Sequence, residues 1–150
     1  MTEIREIRAG ETGSAAEAML LLRPRWRTAG AVVDLIDDRL RPAGYRLVGA
    51  FEESSDSAVS VLGFREVWST AWGHYLYVDD VSTLETARGK GFADELLRWV
   101  IAEAERLGCE EIHLDSGVGS DRAAAHRLYM ANRGATATSN RSTPASAMNA

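Results

Sequence analysis

Tyr75-Leu-Tyr-Val-Asp-Asp-Val-Ser-Thr-Leu-Glu-Thr-Ala-Arg-Gly-Lys-Gly-Phe-Ala93 decides the fold. Tyr75 to Val81 is rich in aromatic and β-branched residues and reads as a strand. From Phe92 the period changes, and Phe92, Leu96, Leu97, Val100, Ile101, Ala104 and Leu107 fall on one helical stripe, with Gly108 as the stop. Between strand and helix lies Arg88-Gly-Lys-Gly91. A helix start offers unpaired N–H groups and the positive end of a dipole, which together attract phosphate. Gly89 and Gly91 let those amides approach an anion closely, and Arg88 and Lys90 add charge at the same place. The bend is a phosphate cradle.

Its spacing excludes two familiar cradles. A P-loop needs G-x-x-x-x-G-K-[ST], which the residues before Gly89 do not supply, and a dinucleotide fingerprint needs glycine at position 94, where the chain has Asp94. What fits is R-x-x-G-x-A across Arg88, Gly91 and Ala93. Together with the preceding strand this resembles the acyl-CoA-binding motif Q/R-x-x-G-x-G/A of the GNAT superfamily of N-acetyltransferases. A second stretch, Ala125-His-Arg-Leu-Tyr129, resembles the A-x-x-L/F-Y of the same family.

Composition sets bounds. The 150 residues are of single-domain size, with 45% hydrophobic and 26% charged residues and a net charge of −5. That charge gives no nucleic-acid footprint. Lys90 is the only lysine. The single cysteine, Cys109, excludes an internal disulfide and fits a reducing compartment; no apolar run is long enough to span a bilayer. No signal-peptide pattern is read at Met1, and the expected location is cytoplasmic.

In order, the pattern predicts a strand at Ile4–Arg8, a helix from Gly13 to Leu22 stopped by Pro24, and a second helix over Val32–Leu40. Strands follow at Tyr45–Phe51, Ala58–Phe64 (weakly to Val67), Tyr75–Val81 and Glu110–Asp115, with Trp68–Gly73 as a loop. Asp121 caps a helix to about Met130, Ala135–Thr138 is a candidate last strand, and Ser139–Ala150 reads as a frayed tail. One domain over residues 1–138 is expected, with a flexible 139–150. Short loops make the strand meander antiparallel, and the crossover through the long helix sets the fifth strand parallel to the fourth. This mixed α/β order is similar to the GNAT fold, whose mostly antiparallel sheet splays between strands 4 and 5.

The resemblance implies an acetyl-CoA-dependent N-acetyltransferase that works by direct attack of a primary amine, on a small molecule or peptide, in a ternary complex. Acetyl-CoA is then a cosubstrate, no metal is expected, and neither nucleic acid nor membrane is a partner; a homodimer fits family habit. In the family, pantetheine lies in the splay like an added strand. That implies cofactor contacts from Val81, Ser82 and Thr83, with the diphosphate on Arg88, Gly89, Lys90, Gly91, Phe92 and Ala93. Asp79 takes the position of the acidic residue in the L-Y-L-E-D-F stretch of polyamine-acetylating members. It is the preferred base, acting directly or through a water, or else it simply attracts a cationic amine; His74 is an alternative base. Asp80 is expected on the opposite sheet face, since side chains alternate along a strand. Tyr129 is assigned to protonate the departing thiolate. The alternatives are a GNAT-like module that binds acyl-CoA without turnover and a nucleotide-binding α/β protein.

Overall fold

Branched and aromatic runs form the first five strands, and a computed structural model describes residues 2–115, 125–129 and 142–144. The strands are β1 (Glu3–Ile7), β2 (Tyr45–Phe51), β3 (Ser60–Ser69), β4 (Gly73–Thr83), β5 (Glu111–Asp115), β6 (Ala125–Tyr129) and β7 (Ser142–Pro144). They lie in one mixed sheet in sequence order. β1 to β4 pair antiparallel, β4 and β5 pair parallel, β5 and β6 antiparallel, and β6 and β7 parallel. The helices are α1 (Ala16–Leu22), α2 (Ala29–Leu35) and α3 (Phe92–Leu107).

Each face of the sheet has its own core. On one face the α3 stripe of Phe92, Leu96, Val100 and Ala104 packs on Phe64, Leu76 and Ile112. On the other, α1 and α2 bring Met19, Val32 and Ile36 against Ile7, Tyr45 and Leu47. α3 ends where Gly108 turns left-handed at φ 82°, a conformation glycine adopts without steric cost. Among the described residues no helix is long and apolar enough to cross a membrane.

Three local differences from the sequence reading have physical causes. α2 starts three residues before Val32, because Thr28 accepts the N–H of Ala31 at 3.1 Å and caps the helix there. Its continuation, Ile36–Leu40, widens to a π-helix before Pro42. β3 runs on to Ser69, since cross-strand pairing with β4 carries Val67 and Trp68 along and shortens the tryptophan loop.

The expected helix from Asp121 to Met130 is not what the backbone adopts over 125–129. Those residues pair with Glu111–Asp115 as β6. Left bare, the outer edge of β5 would be a row of unpaired N–H and C=O groups, and the ladder that β6 makes along it overrides the local helical period. Within the stretch read as a tail, Ser142–Pro144 pairs with β6. The candidate strand at 135–138 lies outside the described residues.

One buried charge on α3 ties the layers. Glu103, buried on the helix's inner side, accepts from Arg106 at 2.8 and 2.6 Å and lies 2.7 Å from Arg46 of β2. Arg46 also forks onto Glu6 of β1 at 2.9 and 3.0 Å. Hydrogen bonds from Arg106, then Arg46, outweigh desolvation and lower the Glu103 carboxyl from 4.5 to about 2. A folded-state pKa below the unfolded one adds stability above pH 4.5 that is lost as pH falls toward 2. Glu103→Gln should therefore lower stability at pH 7 by about 1–2 kcal/mol, solvent screening at the exposed Arg106 having been discounted. Urea titrations at pH 7, 4 and 3 should show the gap from the parent chain closing as the pH falls.

Candidate active site

β4 outruns its neighbour. β5 pairs only with Tyr75 to Val78, so among the described residues Asp79 to Thr83 have no partner strand on that edge. At the same point β4 bulges: Gly63 of β3 opposes Asp80 and Phe64 opposes Val78, leaving Asp79 as the extra residue. This is the splay that the family resemblance implies.

The bulge overturns one expectation. An extra residue resets the alternation, so Asp79 and Asp80 both face α1 and α2 rather than opposite sides of the sheet. Asp79 binds Arg65, which sits opposite Tyr45 in the β2–β3 register, while Asp80 accepts the Tyr45 hydroxyl at 2.7 Å. Gly63 makes this possible. A Cβ there would stand 1.8 Å from the Tyr45 hydroxyl oxygen, so the phenol can cross β3 only over a glycine.

Arginines hold both carboxylates. Arg65 forks onto Asp79, Nε to Oδ2 at 2.8 Å and Nη2 to Oδ1 at 2.9 Å. These hydrogen bonds are the main cause raising the Arg65 guanidinium above its ordinary pKa. Arg23, from the end of α1, donates to Asp80 Oδ1 from Nε at 3.1 Å and Nη2 at 2.8 Å, and from Nη2 to the Asp79 carbonyl at 3.2 Å. Burial, then the Asp80 carboxylate, pushes the Tyr45 phenol well above its usual pKa, so it stays a neutral donor.

Of the residues expected at the cofactor strand, Val81 is exposed. The Ser82 hydroxyl is buried and donates to the Ala18 carbonyl at 2.6 Å, pinning α1 to β4. Thr83 Oγ1 lies 2.7 Å from Ser60 Oγ.

The bend after β4 has the geometry of an anion cradle. Gly89 and Gly91 have φ of 79° and 84°, and beyond each glycine and its chain neighbours no heavy atom lies within 4 Å of where the Cβ would stand. The first helical bond runs from Glu95 N–H to the Gly91 carbonyl, so earlier amides of the turn have no intrahelical acceptor. Buried Phe92 anchors the helix start in the α3 core beside the small Ala93. Arg88 Nε donates to the Thr83 carbonyl at 3.2 Å, and Lys90 Nζ lies 3.7 Å from Glu52. Room, amides and two cations fit a diphosphate.

The structure does not gather every expected group here. Register sets Tyr129 opposite Glu111, which lies opposite Tyr75, at the start of β4 rather than beside Asp79. His74 is buried at that same end, roughly 16 Å from Asp79 at strand rise. Its Nε2 faces Glu66 Oε2 at 2.6 Å and Cys109 Sγ at 3.5 Å. These three residues have potential ligand atoms within 4.8 Å of one another. The 2.6 Å separation is that of a hydrogen bond, against roughly 3.3 Å between two donors of a tetrahedral ion.

Sequence reasoning missed Arg23, Tyr45 and Arg65 as partners of the two aspartates. It also missed a cavity of about 300 Å³ between α1, α2 and β4, lined among others by Met19, Trp26, Leu35, Leu40 and Asp80. One available signal was Gly63, an isolated glycine within a strand, which marks a bulge or a close approach.

Gly63→Ala should displace the Tyr45 ring and cost about 1–3 kcal/mol as overpacking. Tyr45→Phe removes only a hydrogen bond worth about 1 kcal/mol, so denaturant titration should rank the alanine variant as the less stable.

The Acetyltransferase (GNAT) family model matches residues 6–135. A search of curated proteins finds no match. Among solved structures, the fold is similar to a ribosomal-protein-alanine N-acetyltransferase from Brucella melitensis biovar Abortus 2308, with TM-score 0.64 and 17% identity over 76% of this chain and 79% of that one. It is similar to a GNAT family acetyltransferase from Brucella melitensis in complex with acetyl-CoA, with TM-score 0.61 and 17% identity over 79% and 78%. It is similar also to glucosamine-6-phosphate N-acetyltransferase from Arabidopsis thaliana, with TM-score 0.62 and 17% identity over 79% and 84%. A bulged fourth strand that pairs with β5 only as far as Val78 among the described residues, and leads through a glycine bend into a long helix, is thus accompanied by a family match over most of the sequence, and the chain belongs to the GNAT acetyltransferase family.

Proposed function

We propose that this chain transfers the acetyl group of acetyl-CoA to a primary amine of a small molecule or peptide, by direct attack in a ternary complex. The observation that carries the reading is the edge of β4 beyond Val78, without a partner strand among the described residues, running into an amide-lined bend. The family match and a similar fold solved with acetyl-CoA support it. Backbone groups from Val81 to Thr83 would hold the pantetheine arm as an added strand, and the amides and cations of Arg88 to Ala93 the diphosphate. The cosubstrate supplies a thioester.

An ammonium first gives one proton to solvent, with Asp79 or a water beside it as the route. The neutral nitrogen then bonds to the carbonyl carbon, and an N–H in the Val81 region stabilises the oxyanion. As the C–S bond breaks, the nitrogen loses a second proton and the sulfur gains one, leaving amide and free thiol. The motif alone assigns the proton donor to Tyr129, since its register opposite Glu111 sets it at the start of β4, away from Asp79. Asp79, engaged by Arg65 on both oxygens, favours holding charge near the amine over taking a proton outright. The same clamp is what favours the second reading, an acyl-CoA-binding module without turnover.

Thiol release measured over an amine panel, beside calorimetry with acetyl-CoA, separates the two. The transferase should release thiol with at least one amine, whereas binding without release selects the module. Arg88→Gln should weaken acetyl-CoA binding about tenfold, the loss of one charge-assisted contact. Asp79→Asn and Tyr129→Phe should each lower kcat about a hundredfold or more with little change in that binding. Unchanged kcat in either variant removes the role from that residue.

A further inference from the structure

The cavity between α1, α2 and β4 narrows the choice of acceptor. Met19, Trp26, Leu35, Ile36 and Leu40 give it apolar walls around about 300 Å³. That is the low end of ligand pockets and suits a molecule of amino-acid size. Three charged side chains line it, Arg23, Arg25 and Asp80, two positive and one negative. A polyamine would bring only positive charge to a lining that already carries an excess of it. A zwitterion brings one charge of each sign.

The free donors and acceptors match a zwitterion as well. Asp80 Oδ1 takes both bonds from Arg23 and Oδ2 takes one from Tyr45, which leaves Oδ2 room for an ammonium N–H. Arg23 uses Nε and Nη2, and its Nη1 makes no hydrogen bond among the described residues. The Arg25 guanidinium stands 4.9 Å over the Trp26 ring, and it too makes no hydrogen bond among the described residues. Stacking of that kind leaves in-plane donors for a carboxylate.

We infer that the acceptor is a free amino acid, or a close analogue, with a large apolar side chain. Its ammonium sits on Asp80, its carboxylate meets Arg25 and the open edge of Arg23, and its side chain lies against Trp26, Leu35 and Leu40. The inference rests on the transferase reading above and assigns the substrate class of that site. The new N–C bond forms at the α-nitrogen as the thioester C–S bond breaks, giving an N-acetylamino acid and free thiol.

The test measures thiol release from acetyl-CoA by the full chain with leucine, methionine and phenylalanine, each beside its amide, and with spermidine and a short peptide. Free amino acids should exceed their amides at least tenfold in kcat/KM, mainly through KM, the loss of a charge-assisted contact being worth about that factor. Arg25→Gln should raise KM for phenylalanine about tenfold more than for its amide, collapsing the preference. A preference for spermidine, peptide or amide overturns the inference and leaves the transferase reading standing. No release with any amine, while calorimetry still shows acetyl-CoA bound, overturns both.

Discussion

One extra residue in one strand sets the geometry of the site. With Asp79 inserted opposite the Gly63–Phe64 step, β4 bends, its pairing with β5 ends at Val78, and two neighbouring carboxylates turn to the same face. The bulge is tolerated because Gly63 leaves space for Tyr45, whose hydroxyl crosses over it to Asp80. A side chain at Gly63 would push back the phenol, and with it one of the three hydrogen bonds that orient Asp80. The edge of β4 left without a partner strand among the described residues, and the place of Asp80 on the wall of the cavity, are thus two outcomes of one backbone irregularity.

The arginines change what the acidic pair offers to a ligand. Two unpaired aspartates on one face would read as a cation trap. Arg65 takes both oxygens of Asp79, and Arg23 takes one of Asp80, so the negative charge is largely met from within. What remains is oriented acceptor capacity on Asp80 and donor capacity at the mouth. Such an arrangement would suit a dipolar ligand better than a cationic one, which is why the inferred acceptor departs from the polyamine comparison suggested by the L-Y-V-D-D-V stretch alone.

Much of what depends on local chemistry was legible in the sequence, though the Thr28 cap and the isolated Gly63 were local signals that went unread. The α3 stripe, the β4 run and the glycine bend carry their own periodicity and their own punctuation, and each forms where its residues predict. The parallel placement of β5 followed from the handed crossover through α3. What could not be read were consequences of partners distant in sequence. Arg23 and Asp80 are 57 positions apart, and Tyr45 and Asp80 are 35 apart, so no window along the chain shows either pair. The face of Asp80 was misread for a related reason, since alternation holds only until a bulge breaks it. Residues 125–129 show local period yielding to a nonlocal ladder: an A-x-x-L-Y pattern that looks helical pairs instead along the open edge of β5.

The bend and the open edge are not independent. Arg88, the first residue of the cradle, donates to the Thr83 carbonyl, which belongs to the edge where a pantetheine amide would bind. A single guanidinium therefore covers part of one subsite while its charge belongs to the other. A diphosphate at the Gly89–Gly91 amides competes for that guanidinium with two negative charges, where Thr83 offers one neutral acceptor, and charge-assisted bonds are the stronger. Drawing Arg88 to a diphosphate would uncover the Thr83 carbonyl for a pantetheine arm. On the proposed function, binding at the bend would then favour binding along the strand, through one side chain.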